Sequence, residues 1–253
     1  MDENLRSLLE DVASGKVPAE QAAEQIEKLQ GDNAAVAVGE EPVARIMIKA
    51  GAVRLNIHGD PNVSEAVAHG PHTMRREGDA LLIDTNTTAG DYAVEPPRSA
   101  FMTWVGQMVN RVGATLDVRV NPDLPIQVLL VGGPLEMTGT RAGASVGVEA
   151  GSAQLSGEGP LLFDVASGSG RVDWTFRGQS RVRADMGSVS VTVRPDSDVV
   201  VTADTSLGQA VVKSHHGILK APQDATTVPV TVGAGTGALT VSSRMGSAQV
   251  TMA

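Results

Sequence analysis

Leu161-Leu162-Phe163-Asp164-Val165, then Gly168-Ser169-Gly170, then Arg171-Val172-Asp173-Trp174-Thr175-Phe176-Arg177: this stretch alternates apolar and polar side chains on both sides of a glycine turn. Successive side chains of a strand point to opposite faces. One face therefore collects Leu161, Phe163 and Val165, and after the turn Val172, Trp174 and Phe176, while Arg171, Asp173, Thr175 and Arg177 take the other. The same period of two extends outward in both directions. Upstream it passes through Ile46/Ile48, Val53/Leu55/Ile57, Leu81/Ile83, Leu116/Val118/Val120, Ile126/Val128/Leu130 and Val146/Val148. Downstream it continues through Val182/Ala184/Met186, Val189/Val191/Val193, Val199/Val201/Ala203, Ala210/Val212, Val228/Val230/Val232, Leu239/Val241 and Ala248/Val250/Met252. Glycine-containing turns, among them Gly133, Gly143, Gly151, Gly159, Gly178 and Gly187, recur roughly every 8–10 residues.

Strands at this spacing build either a sandwich or barrel, or a β-solenoid whose coils stack on one another. Short strands, turns at small residues and one polar side per strand favour the solenoid. Two strand-turn units then form a coil of roughly 18–20 residues, and about ten coils at about 4.8 Å each give a rod near 50 Å long. The expected fold class is mainly β: a β-solenoid (single-stranded β-helix-like) domain over residues 43–253 behind a small N-terminal helical hairpin.

Composition agrees with this reading. Aromatics are only 2% of the chain against 42% hydrophobic residues, so Val, Leu, Ile, Met and Ala must supply most of the core. The net charge of -9 disfavours a general grip on phosphate backbones, and no nucleic acid partner is expected. There is no cysteine, which removes disulfide and thiolate chemistry. Met1-Asp2-Glu3-Asn4 leads into no long apolar run, and no stretch reaches the roughly 18 apolar residues of a membrane span. The expectation is a cytoplasmic protein, with the inner membrane face as the alternative setting.

Two segments carry a helical period instead. Leu5, Leu8, Leu9 and Val12 recur at helical spacing; Gly15-Lys16-Val17-Pro18 interrupts, and Ala22, Ile26 and Leu29 resume the period. Residues 1–30 are read as a helical hairpin with an apolar stripe too thin to stand alone, and 31–42 as a linker. Between Pro97 and Gly113, Phe101, Trp104, Val105, Met108, Val109 and Val112 lie at i, i+3, i+4, i+7, i+8 and i+11. An amphipathic helix at about 98–112 is expected there, bracketed by Arg98 and Arg111. Exposing such a stripe is costly, so it flanks the β domain, enters a partner or lies on a membrane. The candidate binding residues are Phe101, Trp104, Val105, Met108 and Val109, with Leu5, Leu8, Leu9 and Ile26 of the hairpin.

Motifs that resemble active sites fall at turns of the β pattern. Gly143-Ala144-Ser145-Val146-Gly147 has the spacing of a nucleophile elbow, which needs a helix after the serine, and here Val146-Gly147-Val148 continues as strand. Gly233-Ala234-Gly235-Thr236-Gly237-Ala238 resembles a phosphate loop but runs into Leu239-Thr240-Val241, again a strand. His58 near Asp60, His69-Gly70-Pro71-His72 and His215-His216 lack structural-zinc spacing and read as exposed loop histidines. No catalytic residue, cofactor or metal is expected, and the protein is read as no enzyme.

The hairpin Leu5-Arg6-Ser7-Leu8-Leu9-Glu10-Asp11-Val12-Ala13-Ser14-Gly15-Lys16-Val17-Pro18-Ala19-Glu20-Gln21-Ala22-Ala23 resembles the short bihelical (SHOCT-like) module of a bacterial family. Leu116-Asp117-Val118-Arg119-Val120-Asn121-Pro122, with the glycine-spaced strands after it, resembles that family's Toastrack, or adhesin-like, β-strand-repeat domain. The resemblance implies a solenoid-like fold, a link to envelope-stress signalling and membrane-associated partners. It implies no catalytic residues. The functions this sets up are a non-enzymatic scaffold or sensor that binds a protein partner or itself, and a peripheral membrane protein using 101–112. The weakest is a carbohydrate-active or other hydrolase, on fold analogy alone.

Overall fold

The computed structural model describes residues 42–85, 114–214, 217–221 and 225–253. The expected hairpin over 1–30, the linker and the amphipathic helix at 98–112 lie outside these residues. The described chain is almost wholly strand, as the period of two requires.

Five strands carry the frame: β7 (Ile126–Thr140), β8 (Ala144–Gly159), β9 (Leu161–Phe176), β10 (Gln179–Val193) and β11 (Val199–Ser214). A sixth, β15 (Gly237–Met252), has the same length and lies between β10 and β11. All six stack in parallel, residue against residue. Two further rungs are split. β1 (Arg45–Ala52) and β2 (Arg54–Gly59) together lie on β7, while β5 (Ala80–Asp84) and β6 (Thr115–Val120) lie on β1 and β2. The stack therefore has eight rungs among the described residues, against about ten expected, and spans about 34 Å at one strand spacing per step.

Each rung bends once, and the bend reverses its inside and outside. In β9 the inward residues are Leu161, Phe163 and Val165 before the bend, then Gly170, Val172, Trp174 and Phe176 after it; Thr175, expected on the outer face, is also buried at the end of the strand. Odd positions become even ones, so both halves of every rung turn their apolar faces to one core. Vertical columns fill that core. One runs Ile83, Ile48, Val128, Val146, Phe163, Val182, Val241, Ala203, and its opposite Val118, Ile57, Met137, Leu155, Val172, Val191, Val250, Val212. All are at most 2% exposed, so the core is continuous from rung to rung.

Glycine makes the bend. Gly133, Gly151, Gly168, Gly187, Gly246 and Gly208 stand in register at the corner, with φ between 106° and 149°. A Cβ at Gly168 would overlap the carbonyl oxygen of Gly151, and one at Gly187 that of Gly168. The sequence reading takes Gly133, Gly151, Gly168 and Gly187 as turns between separate short strands. They are instead corners inside strands of 15 to 16 residues, because backbone pairing carries straight through them.

Antiparallel strands cover both ends of the stack. β3 (Ala66–His69) pairs with β6 and β4 (Thr73–Glu77) with β5 at one end. At the other end β12 (Gly217–Ala221), β13 (Ala225–Thr226) and β14 (Val230–Val232) pair with β11. An open edge invites pairing with another chain, and β4 answers it with charge. Arg75 meets Glu77 at 2.7 Å, and Arg76 pairs with Glu65.

Gly168→Ala should lower stability by about 4 kcal/mol or more, because the new methyl meets backbone that cannot move aside. Gly178→Ala, at φ 69° with open space around it, should cost only about 1–2 kcal/mol for the left-handed backbone. Urea unfolding of the two variants compares them directly.

Candidate functional site

The outward residues of the two rung halves make two faces. The first, built by the halves before the corner, carries in one column Asp84, Lys49, Leu129, Gly147, Asp164, Arg183, Ser242 and Asp204. Gly147 contributes no side chain, and Leu129 leans across it, within 3.2 Å of where a Cβ would stand. The result is a groove of about 480 Å³ beside the corner, reaching from Lys49 of β1 to Arg183 and Asp185 of β10. Its floor is apolar: Leu129 is 45% and Val131 48% exposed. Its rim holds Glu149, Asp164 and Asp185 against Lys49 and Arg183. Arg183 is engaged with Asp185 through Nε at 3.0 Å and Nη2 at 2.8 Å, so acid predominates.

The second face is mainly polar, with Pro134 and Val211 as apolar exceptions at outward positions. One column reads Asp117, Asn56, Glu136, Gln154, Arg171, Ser190 and Gln249, and beside it Pro134 leads to Ser152, Ser169, Ser188 and Ser247. The short serines leave a groove of about 380 Å³ between their longer neighbours. Several outward side chains are tied across rungs. Asn56 Nδ2 donates to Asp117 Oδ1 at 2.6 Å, His58 Nδ1 lies 2.9 Å from Thr138 Oγ1, and Arg194 grips both oxygens of Asp173 at 2.9 and 3.1 Å while donating to Ser156. These bonds link side chains of neighbouring rungs at three places on the face.

The motifs singled out from sequence take structural places. Ser145 is the second residue of β8, paired with Gln127 and Leu162, and its strand runs on. The glycine loop 233–237 does cradle an anion, and that anion is the protein's own. Thr236 donates to Asp198 through its hydroxyl at 2.6 Å and its N–H at 3.1 Å. The Thr236 hydroxyl, then its N–H, then the N–H groups of Gly235 and Ala234 hold the Asp198 carboxyl below the ordinary aspartate range, against the opposing effect of burial. Asp60 behaves alike: the N–H and amide of Asn62 lower it, aided by Arg119. His72 turns back to the carbonyl of Gly70 at 2.8 Å. Among the described residues no three of His, Cys, Asp or Glu converge as a metal site, and no helix is long and apolar enough to cross a membrane.

The binding residues named from sequence (Phe101, Trp104, Val105, Met108, Val109, Leu5, Leu8, Leu9 and Ile26) lie outside the described residues. Sequence reasoning missed the apolar groove. Its signal was present: Gly147 stands at an outward position inside an alternating run, where a strand loses stability without a local reason.

No family model matches this chain, and no curated protein does. Among solved structures it is similar to a "putative cell adhesion protein" of Clostridium sporogenes, with a TM-score of 0.44 and 10% identity over 85% of this chain and 96% of that one.

Asp198 and Asp204 should move stability in opposite directions with pH. A carboxyl with a lowered folded pKa stabilises the fold above its unfolded pKa, and that contribution disappears as pH falls through the folded one. Asp198→Asn should therefore weaken the protein at pH 7 and flatten its loss of stability in acid. Burial raises Asp204, with Arg183 opposing, so its charge is a burden at neutral pH that is relieved as pH falls through the raised value. Asp204→Asn should leave the protein at least as stable at pH 7. Urea midpoints at pH 7 and pH 4 read both effects.

Proposed function

We propose that this protein is a non-enzymatic scaffold: a β-solenoid that holds a protein partner, or a second copy of itself, along its polar face. The observation that carries this reading is the parallel stacking of eight rungs, in register through the columns named below. Such a ladder repeats each outward position at one strand spacing, so the Glu136, Gln154 and Arg171 column and the serine column beside it form ordered rows about 4.8 Å apart. Rows carried on a rigid, paired backbone lose little freedom on binding, which favours recognition by a partner that follows the groove. The column alternates acid, amide and base. That pattern suits a complementary polar surface better than a membrane or a polyanion.

The resemblance to the Toastrack domain adds envelope-linked signalling as the setting, with the protein on the cytoplasmic side. The N-terminal segment, through Leu5, Leu8, Leu9 and Ile26, would then supply a second attachment point.

Exchanging charges in the column, Glu136→Arg with Arg171→Glu, should remove the complexes recovered from native cells. Stability should change by no more than about 0.5 kcal/mol, because both sites lie on the surface. Identical complexes from wild type and variant would contradict the use of this face. Deleting residues 1–30 should change the oligomeric mass or the partner set.

A further inference from the structure

The column of residues just before the corner is small along one half of the ladder and large along the other. It reads Ala52, Gly132, Ala150 and Ser167 on β1, β7, β8 and β9, then Met186, Met245 and Leu207 on β10, β15 and β11. The three large residues are each about half exposed and stand on consecutive rungs, forming an apolar ridge about 10 Å long. Beside the small residues lies the apolar groove of the first face, floored by Leu129 and Val131. Ridge and groove hold five of the eight large hydrophobic residues exposed among the described residues. The exposed apolar surface therefore collects along the corner, and such a patch marks a contact with another molecule.

We propose that a second copy of this chain, running antiparallel, covers the corner, with the ridge of each copy seated on the small residues and groove of the other. A two-fold axis at Ser167, the midpoint of the column, exchanges its ends. It sets Met186 against Ala150, Met245 against Gly132 and Leu207 against Ala52, so a large residue meets a small one at each step. One half of the surface is thus shaped as the counterpart of the other half, which specifies a copy over an unrelated partner. Charge agrees. The same axis sets Lys49 opposite Asp204 at both ends of the contact and brings Arg244 within one rung of Glu149. None of these four is in a salt bridge among the described residues. Asp185, which comes opposite Glu149, is already bonded to Arg183. Area agrees as well. Six rung spacings give a contact about 29 Å long, and three residues on either side of the corner make it about 20 Å wide. That is about 600 Å² on each copy and about 1,200 Å² in all, at the small end of specific pairs. The contact leaves the polar face open, so it stands apart from the scaffold reading, and exchanging Glu136 with Arg171 does not touch it.

Sedimentation equilibrium of the full chain should show a dimer, and Ala150→Met should weaken it at least about tenfold, since methionine then meets methionine. Adding Met186→Ala to the same chain should return the dissociation constant to within about threefold of the wild type. Both positions are exposed, so neither change disturbs the core. A monomer at every concentration, an Ala150→Met chain that pairs as well as the wild type, or a double variant no tighter than Ala150→Met alone would overturn the proposal. The absence of cysteine gives a second reading. Ser167→Cys, beside the axis, should cross-link two copies under oxidation at least about ten times faster than Ser190→Cys on the polar face, because only the first pair comes within disulfide reach. Equal rates, or faster cross-linking through Ser190→Cys, would overturn the proposal, and the latter result would assign pairing to the polar face.

Discussion

Backbone lies directly on backbone along the corner of this protein. From Val53 through Gly133, Gly151, Gly168, Gly187 and Gly246 to Gly208, each corner residue rests on the carbonyl of the one beneath it. That contact lets a strand of 15 to 16 residues fold over sharply without losing its pairing. It also reverses the inward parity, so the two halves of a rung face each other across one core. Every column of the interior and both outer faces depend on this geometry. A side chain at the corner would separate adjacent rungs, and the misfit would pass along the whole ladder.

The interior follows from that constraint. Because residues of one kind stack on their equivalents, side chains of moderate and similar size fill the columns, and large aromatics need local room. Trp174 illustrates this. It is fully buried, its indole N–H reaches the carbonyl of Gly159 at 2.9 Å, and a Cβ on Gly157 would stand 2.7 Å from its ring. The aromatic content of 2% is therefore a packing consequence. Some polar groups of the interior are satisfied locally, as where Ser180 and Ser197 hydroxyls accept the N–H groups of Leu161 and Phe176, while the buried hydroxyls of Thr140, Thr205 and Ser243 have no partner among the described residues.

Much of this was legible in the sequence, for a physical reason. The period of two around Leu161–Val165 and Val172–Phe176 reports which side chains share a face, and most of the expected apolar sets are buried; Met186, beside the corner, and Val228, outside the rungs, are instead 51% and 69% exposed. Where the reading fell short, it lacked information about register. Nothing in Gly168-Ser169-Gly170 distinguishes a turn that ends a strand from a corner inside one; the difference lies in Gly151 and Gly187 above and below. The candidate groove was hidden likewise, since Leu129, Gly147 and Asp164 become neighbours only when β7, β8 and β9 align. The order of the end rungs was equally invisible, because β15 pairs with β10 across a separation of 59 residues, Gln179 against Ala238.

That last arrangement bears on how the molecule is made. β11 leaves β10 before its own neighbour exists, and β15 must later enter between them; at the opposite end β1 and β2 wait for β5 and β6 on one side and β7 on the other. A nascent chain emerging from the ribosome could zip β7 to β10 in order of synthesis, since those pairings are near in sequence. It could not place β11 until residues 237–252 had also emerged, and such distant closures are slow. Partly made copies would expose an unfinished edge at β10, where a holding chaperone would find paired-strand chemistry awaiting completion. The final rung acts as a keystone, locking the far cap only once it has been synthesised.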